Sequence, residues 1–272
     1  MAFNLFSKPK KKVNRPKPKP VKKVIKPKKA IKPAKKAAIK TVSKPVKRAE
    51  PKTVKKVVSV SKSIKMPIIE KMADDKAYEM AKSSKLPVVK TIFLKSEKDL
   101  PLLKSVGFPC MMKVSGTKII HKSEVGGIIK VNTPEEAEEA FKKLIKIKFA
   151  EKVLAQEFKE GIELIVGAKS DSHFGCVVSV GLGGIYVEVF KDVKFRICPI
   201  TPADAEAMVK ELSGYEILAG ARGKKPINFN LLYDILVRVG NFAMKNGIKE
   251  MDINPLICDD KNCYIADLRI IK

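Results

Sequence analysis

His121 is one of two histidines in this 272-residue chain, and its surroundings suit phosphate chemistry. Lys113 precedes it on a short apolar run, Lys122 follows it directly, and Gly126-Gly127 closes the loop before a second apolar run. A neutral imidazole nitrogen is nucleophilic near pH 7 and can accept a phosphoryl group. Lysines supply the charge that phosphate needs, and paired glycines let backbone N–H groups approach a ligand closely. The plainer reading is a turn beside solvated lysines. The concentration of Lys113, Lys122, Gly126 and Gly127 around His121 favours the phosphate loop. His173, in the polar run Ser170-Asp171-Ser172-His173, reads as a solvated loop residue.

Three further groups carry chemistry. Asp252 and Asn254 are two apart in an apolar stretch, so in a strand they share a face, and a hairpin turn through 259–262 brings Asp267 back towards them. Acids in an apolar strand are costly unless paired, and this all-oxygen set fits Mg²⁺ bridging nucleotide phosphates. Gln156-Glu157-Phe158 ends a strand at a lobe junction and could offer backbone groups to an adenine edge. Glu163 could accept from vicinal ribose hydroxyls; read alone, these are ordinary edge-strand acids. Gly181-Leu182-Gly183-Gly184, with Glu188, Lys191 and Arg196, is either a bulge or a second anion site, Arg being the side chain whose planar fork matches phosphate.

The elements that must hold these groups are legible in outline. Ile69, Met72, Ala77, Met80 and Ala81 predict a helix ending near Ser84, and an extended stretch starts at Leu86. Ser96 with Asp99 is a weak capping box, and Thr133-Pro134-Glu135-Glu136 is a strong helix start, the helix running to about Lys146. Strands are predicted at 111–114, 152–158, 162–168, 176–180, 185–190 and 194–200. Thr201-Pro202 opens a helix to about Leu218, Leu231–Asn246 is amphipathic, and 248–258 with 264–270 form a closing hairpin. The order is α+β in two small lobes, 66–150 and 151–272, rather than a βαβ repeat.

Charge divides the chain differently. Residues 1–65 hold 22 lysines and two arginines against Glu50 alone, which places +23 of the net +27 there and leaves +4 on the remaining 207 residues. Eight of the 17 prolines also lie in this segment. It is read as a disordered, extended Lys/Pro-rich arm, either a solubilising tail or an electrostatic tether to nucleic acid or an anionic surface. The cysteines at 110, 176, 198, 258 and 263 are odd in number and scattered, which suits reduced thiols in the cytoplasm. Cys258 and Cys263 face each other across a turn and read as a chance pair rather than a bond or half a zinc site. No apolar run approaches membrane-spanning length, and the N-terminus has charge but no apolar core of a secretory signal.

The segments HKSEVGG at 121–127, GIELIVG at 161–167, FGCVVSVGLGGIYVEVFKDVKFR at 174–196, ARG at 221–223, DINPL at 252–256 and ADLRI at 266–270 together resemble the ATP-grasp family. Within it they resemble the β subunit of ADP-forming acetyl-CoA synthetase, itself similar to that of succinyl-CoA synthetase. The resemblance implies two subdomains gripping ADP or ATP with Mg²⁺. It implies a phosphorelay from a separate CoA-binding α subunit through His121 to ADP, and an α₂β₂ assembly. It assigns phosphate binding to Lys113, with Gly126 and Gly127 in its loop, the nucleotide hinge to Gln156, Glu157 and Phe158, and the ribose to Glu163. It assigns metal ligation to Asn254 and Asp267 and places Asp252 close to the transfer path; Arg196 is expected to assist. Glu124 stands where the family often has Asp, and Cys176 where it often has Pro. The alternative is an ATP-grasp module without catalysis, regulatory or tethered through its arm.

Overall fold

The computed structural model describes residues 71–184, 192–223 and 225–272. The basic arm, the strand expected at 185–190, Glu188 and Lys191 lie outside them. Among the described residues the chain is α+β in two lobes, each an antiparallel sheet with helices on one face.

The first sheet has the order β1-β4-β2-β3, from β1 (Thr91–Leu94), β2 (Cys110–Ser115), β3 (Ile128–Val131) and β4 (Lys152–Glu157). Helix α2 (Pro134–Leu144) packs Ala137, Ala140, Phe141 and Leu144 into a core with Met112, Val114, Val153 and Ala155. Its start follows the sequence signal: Thr133 Oγ1 accepts from Glu136 N at 3.2 Å, and Glu136 Oε2 accepts from Asn132 N at 2.7 Å. The short helix capped by Ser96 and Asp99 is 3₁₀, Glu97–Ser105, with Pro101 lacking the N–H an α-helix would use there.

The second sheet runs β10-β8-β5-β6-β7, with β9 paired to β8. Its strands are β5 (Ile162–Asp171), β6 (Gly175–Leu182), β7 (Val193–Ile197), β8 (Glu250–Cys258), β9 (Cys263–Ile265) and β10 (Leu268–Ile271). Alternation splits it into two faces. Leu164, Val166, Val178, Val180, Met251, Ile253, Leu268 and Ile270 are buried against helices, while Gly167, Ser179, Phe195, Asp252 and Arg269 line the other, open face. The covering helices are α3 (Pro202–Lys210), α4 (Tyr215–Leu218) and α5 (Phe229–Asn246). The expected helix to Leu218 is thus two, broken where Leu212 turns into the core. Helix α5 buries the predicted stripe Leu232, Ile235, Leu236, Val239, Phe242 and Ala243.

Two sequence expectations about lobe membership change. A lobe boundary at residue 150 assigns β4 to the second lobe, yet β4 hydrogen-bonds between β1 and β2. Helix α1 (Asp74–Ser83) precedes the first sheet in sequence but buries Ala77, Tyr78 and Ala81 in the second core. Long-range register decides both, and no local pattern carries it. Cys258 and Cys263 are not a chance pair: they oppose each other in the β8–β9 register, Cα atoms 4.1 Å apart, and form a disulfide. The tight hairpin brings their Cβ atoms together.

Candidate functional site between the two sheets

The β2–β3 connection carries His121 over the β8–β10 end of the second sheet. Ile119 is its buried anchor, Lys122 turns inward, and His121 and Ser123 stay exposed. The glycines shape this loop. Gly126 has φ +64°, and a Cβ at Gly127 would lie 2.4 Å from Val114 Cγ1 and 2.7 Å from Lys122 O. Their amides are engaged internally: Gly126 N donates to Ser123 O at 3.1 Å and Gly127 N to Lys122 O at 2.8 Å. In this structure the pair therefore sets the turn instead of offering N–H groups to a phosphate, which corrects the cradle expected of Gly126 and Gly127.

Beneath the loop lies a buried charged cluster. Lys122 Nζ is 2.6 Å from Asp267 Oδ1 and 3.8 Å from Asp74 Oδ1. Lys71 Nζ is 2.8 Å from Asp74 Oδ1 and donates to Ile119 O at 3.0 Å, so it holds both the cluster and the loop backbone. Asp74 Oδ2 has no hydrogen-bond partner among the described residues. Lys113, also buried, donates to Ala266 O at 2.8 Å. Burial works against every charge here, and partners decide which survive. Burial lowers the Lys113 ammonium to about 8, although Asp267, Asp74 and Glu163 support it. For Lys122, burial is outweighed by Asp267 and Asp74, and its ammonium is held above the usual lysine value. Burial likewise opposes the Asp267 carboxylate, but Lys122 and Lys113 keep its pKa below the ordinary range.

Asp252, Asn254, Asp267, Arg269, His121 and Lys122 line one polar cavity of about 170 Å³. The shared face predicted for Asp252 and Asn254 is observed, and β10 brings Asp267 beside them, with Asn254 N donating to Asp267 O at 3.2 Å. Burial raises the Asp252 carboxyl above the usual value; Arg269, 3.7 Å away, pulls it back in part, and Asp267 and Glu250 add to the rise. Arg269 also pairs with Glu250 at 2.7 Å. It was missed in the sequence, although the two-residue alternation from Asp267 points to it.

Gln156 is fully buried, and its Nε2 donates to Tyr78 OH at 3.2 Å and Thr91 Oγ1 at 3.1 Å. Tyr78 OH lies 3.3 Å from Asp267 Oδ1, so Gln156 reaches the cluster through one hydroxyl; its own Oε1 has no partner among the described residues. Burial, with Asp267 and Asp74, pushes the Tyr78 hydroxyl well above the usual tyrosine value. Glu157 pairs with Lys159 at 2.5 Å, and Phe158 lies under Lys130, 3.6 Å from Nζ to ring centre. Glu163 is exposed on β5 beside the glycine turn, where Gly183 N donates to Glu163 O at 2.7 Å. Arg196 stands apart. It opposes the buried Val178 in register, so it lies on the helix-covered face and pairs with Glu211 at 2.5 Å. That corrects its assignment to the catalytic group: strand alternation sends it away from His121. His173 is exposed, as expected.

A family profile for the ATP-grasp domain matches residues 68–271. The chain belongs to the ATP-grasp family. Among relatives of this ATP-grasp chain, acetate–CoA ligase (ADP-forming) I subunit beta of Pyrococcus furiosus is 38% identical over 211 residues, which span 74% of this chain and 91% of that protein. Acetate–CoA ligase (ADP-forming) II of Archaeoglobus fulgidus is 41% identical over 189 residues, 68% of this chain but only 28% of that longer protein. Two structures of a dinucleotide-forming acetyl-coenzyme A synthetase 1 from Ca. Korarchaeum cryptofilum superpose with TM-scores of 0.70 and 0.66, at 33% and 34% identity. They cover 74% of this chain and 93% and 92% of theirs. One contains coenzyme A and Ca-AMPCP. The other contains coenzyme A and Mg-AMPPCP, with a phosphohistidine segment pointing towards its nucleotide site. This ATP-grasp chain is thus of the β-subunit kind found in ADP-forming acetate–CoA ligases. No helix among the described residues is long and apolar enough to cross a membrane.

Proposed function

We propose that the chain is the nucleotide-binding subunit of an ADP-forming acyl-CoA synthetase, with His121 as the residue that relays the phosphoryl group to ADP. The observation that carries this reading is the single cavity shared by His121, Asp252, Asn254, Asp267 and Arg269.

The residues present fit a nucleotide with its cation. Asn254 and Asp267 offer oxygen donors only, which suits Mg²⁺ held mainly by phosphates and water. Asp267 is ionised and paired with Lys122 here, so it is already poised for a cation. When bound, the cation would neutralise phosphate oxygens. Lys113 would bind the phosphates and Glu163 the ribose, and Gln156–Phe158 would border the base.

The chemistry follows from placement. The His121 imidazole attacks a phosphoryl group arriving from a phosphohistidine of a CoA-binding α subunit; an N–P bond forms on His121 as the donor's N–P bond breaks. A terminal phosphate oxygen of ADP then attacks, the His121 N–P bond breaks, and ATP forms. Asp252, facing the same cavity, orients the imidazole so that its free nitrogen meets phosphorus. Arg269 and Lys122 offset the charge that develops on the transferring group. On this reading the acyl group is chosen on the α subunit, and the complete enzyme is the α₂β₂ assembly that the family resemblance implies.

The test combines the chain with its α partner, acetyl-CoA and labelled phosphate, with wild type beside His121→Ala. Acid-labile label on the wild-type chain and none on the variant is expected. Label that reaches the α subunit but never this chain would sink the relay.

A further inference from the structure

The second sheet holds another cross-strand cysteine pair besides Cys258–Cys263. Val177 pairs with Ile197 in the β6–β7 register, which sets Cys176 directly opposite Cys198, and Cys198 N donates to Cys176 O at 2.8 Å. A hydrogen-bonded antiparallel pair has Cα atoms about 5.5 Å apart, inside the range of about 4.4–6.8 Å that a disulfide spans. Both side chains lie on the helix-covered face and converge on one residue. Cys176 Sγ is 3.9 Å from Gly240 O on α5, and Cys198 Sγ lies 2.7 Å from where a Cβ on Gly240 would stand. Gly240 thus leaves the space that the two sulfur atoms share. Both cysteines are free thiols and partly accessible, whereas the remaining free thiol, Cys110, is buried in the other lobe.

We propose that Cys176 and Cys198 are a reversible redox pair that closes to a disulfide on exposure to a peroxide, fastening β7 to β6. Cys176 attacks the peroxide, taking one oxygen as a sulfenic acid and releasing water. The Cys198 thiol then attacks that sulfur, the S–O bond breaks, and a second water leaves. Two thiols and one hydrogen peroxide become one disulfide and two waters. A dithiol reductant returns both thiols and is itself oxidised to a disulfide. Burial, reinforced by Cys176, pushes the Cys198 thiol up to about 12, which suits the second, resolving role better than the first attack.

The site is remote in role from the proposed phosphorelay, since neither cysteine lines the His121 cavity. Its effect falls on β7, the strand that puts Phe195 on the open face beside Asp252 and Arg269. Closing a loop of this length is expected to raise the melting temperature by several degrees.

The experiment treats the folded full chain with hydrogen peroxide, removes the peroxide, alkylates the free thiols in denaturant so that the buried Cys110 also reacts, and maps peptides by mass spectrometry. A peptide pair joined through Cys176 and Cys198, lighter by two hydrogens and separated by dithiothreitol, is the expected result, with Cys110 alkylated throughout. Cys176→Ser and Cys198→Ser should each abolish the link and leave the other cysteine open to alkylation or overoxidation. Circular dichroism establishes that each variant is folded. Folded protein in which both cysteines still take the alkylating agent after peroxide would overturn the proposal. So would a link that joins either of them to Cys258 or Cys263 instead.

Discussion

Asp74→Ala should be among the most damaging single changes in the chain, although Asp74 touches neither the nucleotide nor phosphate in the proposed mechanism. Its side chain is fully buried at the first turn of α1, 2.8 Å from Lys71 Nζ and 3.8 Å from Lys122 Nζ. At an effective dielectric of about 20, those separations give gross attractions of roughly 6 and 4 kcal/mol, most of it cancelled by desolvation. Removing the carboxylate leaves Lys122 with Asp267 alone and Lys71 with only carbonyl oxygens. Breaking a buried ion pair from one side costs about 3–5 kcal/mol, and the lost acid at a helix N-terminus adds a few tenths. For a folded part of this size the melting temperature should fall by roughly 6–20 °C. The internal control is Asp75→Ala. Asp75 pairs with Lys152 nearer the surface, where screening holds the cost below about 1 kcal/mol. Urea unfolding of both variants, with hydrogen exchange across 116–127, measures the difference. An Asp74→Ala protein no less stable than Asp75→Ala, with the His121 loop equally protected, would refute the reasoning.

Lys113 titrates near 8 when free, and a neighbouring phosphate should raise it, so nucleotide binding is at full strength below pH 8 and weakens above it by up to about tenfold per pH unit. Calorimetry in buffers of different ionisation enthalpy should show proton uptake near pH 8.5, none at pH 7, and none in Lys113→Met; proton release would contradict this. Arg269→Ala should slow phosphoryl transfer by about 10²-fold or more, whereas Arg196→Ala should stay within about twofold. Equal losses would mean that Arg196 reaches the site after all. Deleting residues 1–65 should leave nucleotide affinity unchanged and abolish salt-sensitive binding to generic polyanions. Retention of that binding by the truncated chain would assign it to the folded lobes.

What the sequence alone determined is local. Caps at Thr133 and Thr201, the apolar stripe of α5, and the common face of Asp252 and Asn254 are each set within about four residues by hydrogen-bond geometry and side-chain period. The His121 loop and the run of motifs were legible for the same reason, since each lies within one loop or strand. The concentration of charge and proline in residues 1–65 needed only composition. Tertiary structure alone decided which distant pieces share a sheet: β4 joins β1, and α1 joins β10 across most of the folded chain. It decided that Lys71, Asp74 and Lys122 are buried together, since charged residues read as solvated until a partner from elsewhere removes the water. It also decided the fates of Arg196 and Arg269. Alternation ties Arg269 to Asp267, two residues before it, but only packing shows that their shared face is the open one, and only the register against Val178 sends Arg196 to the other.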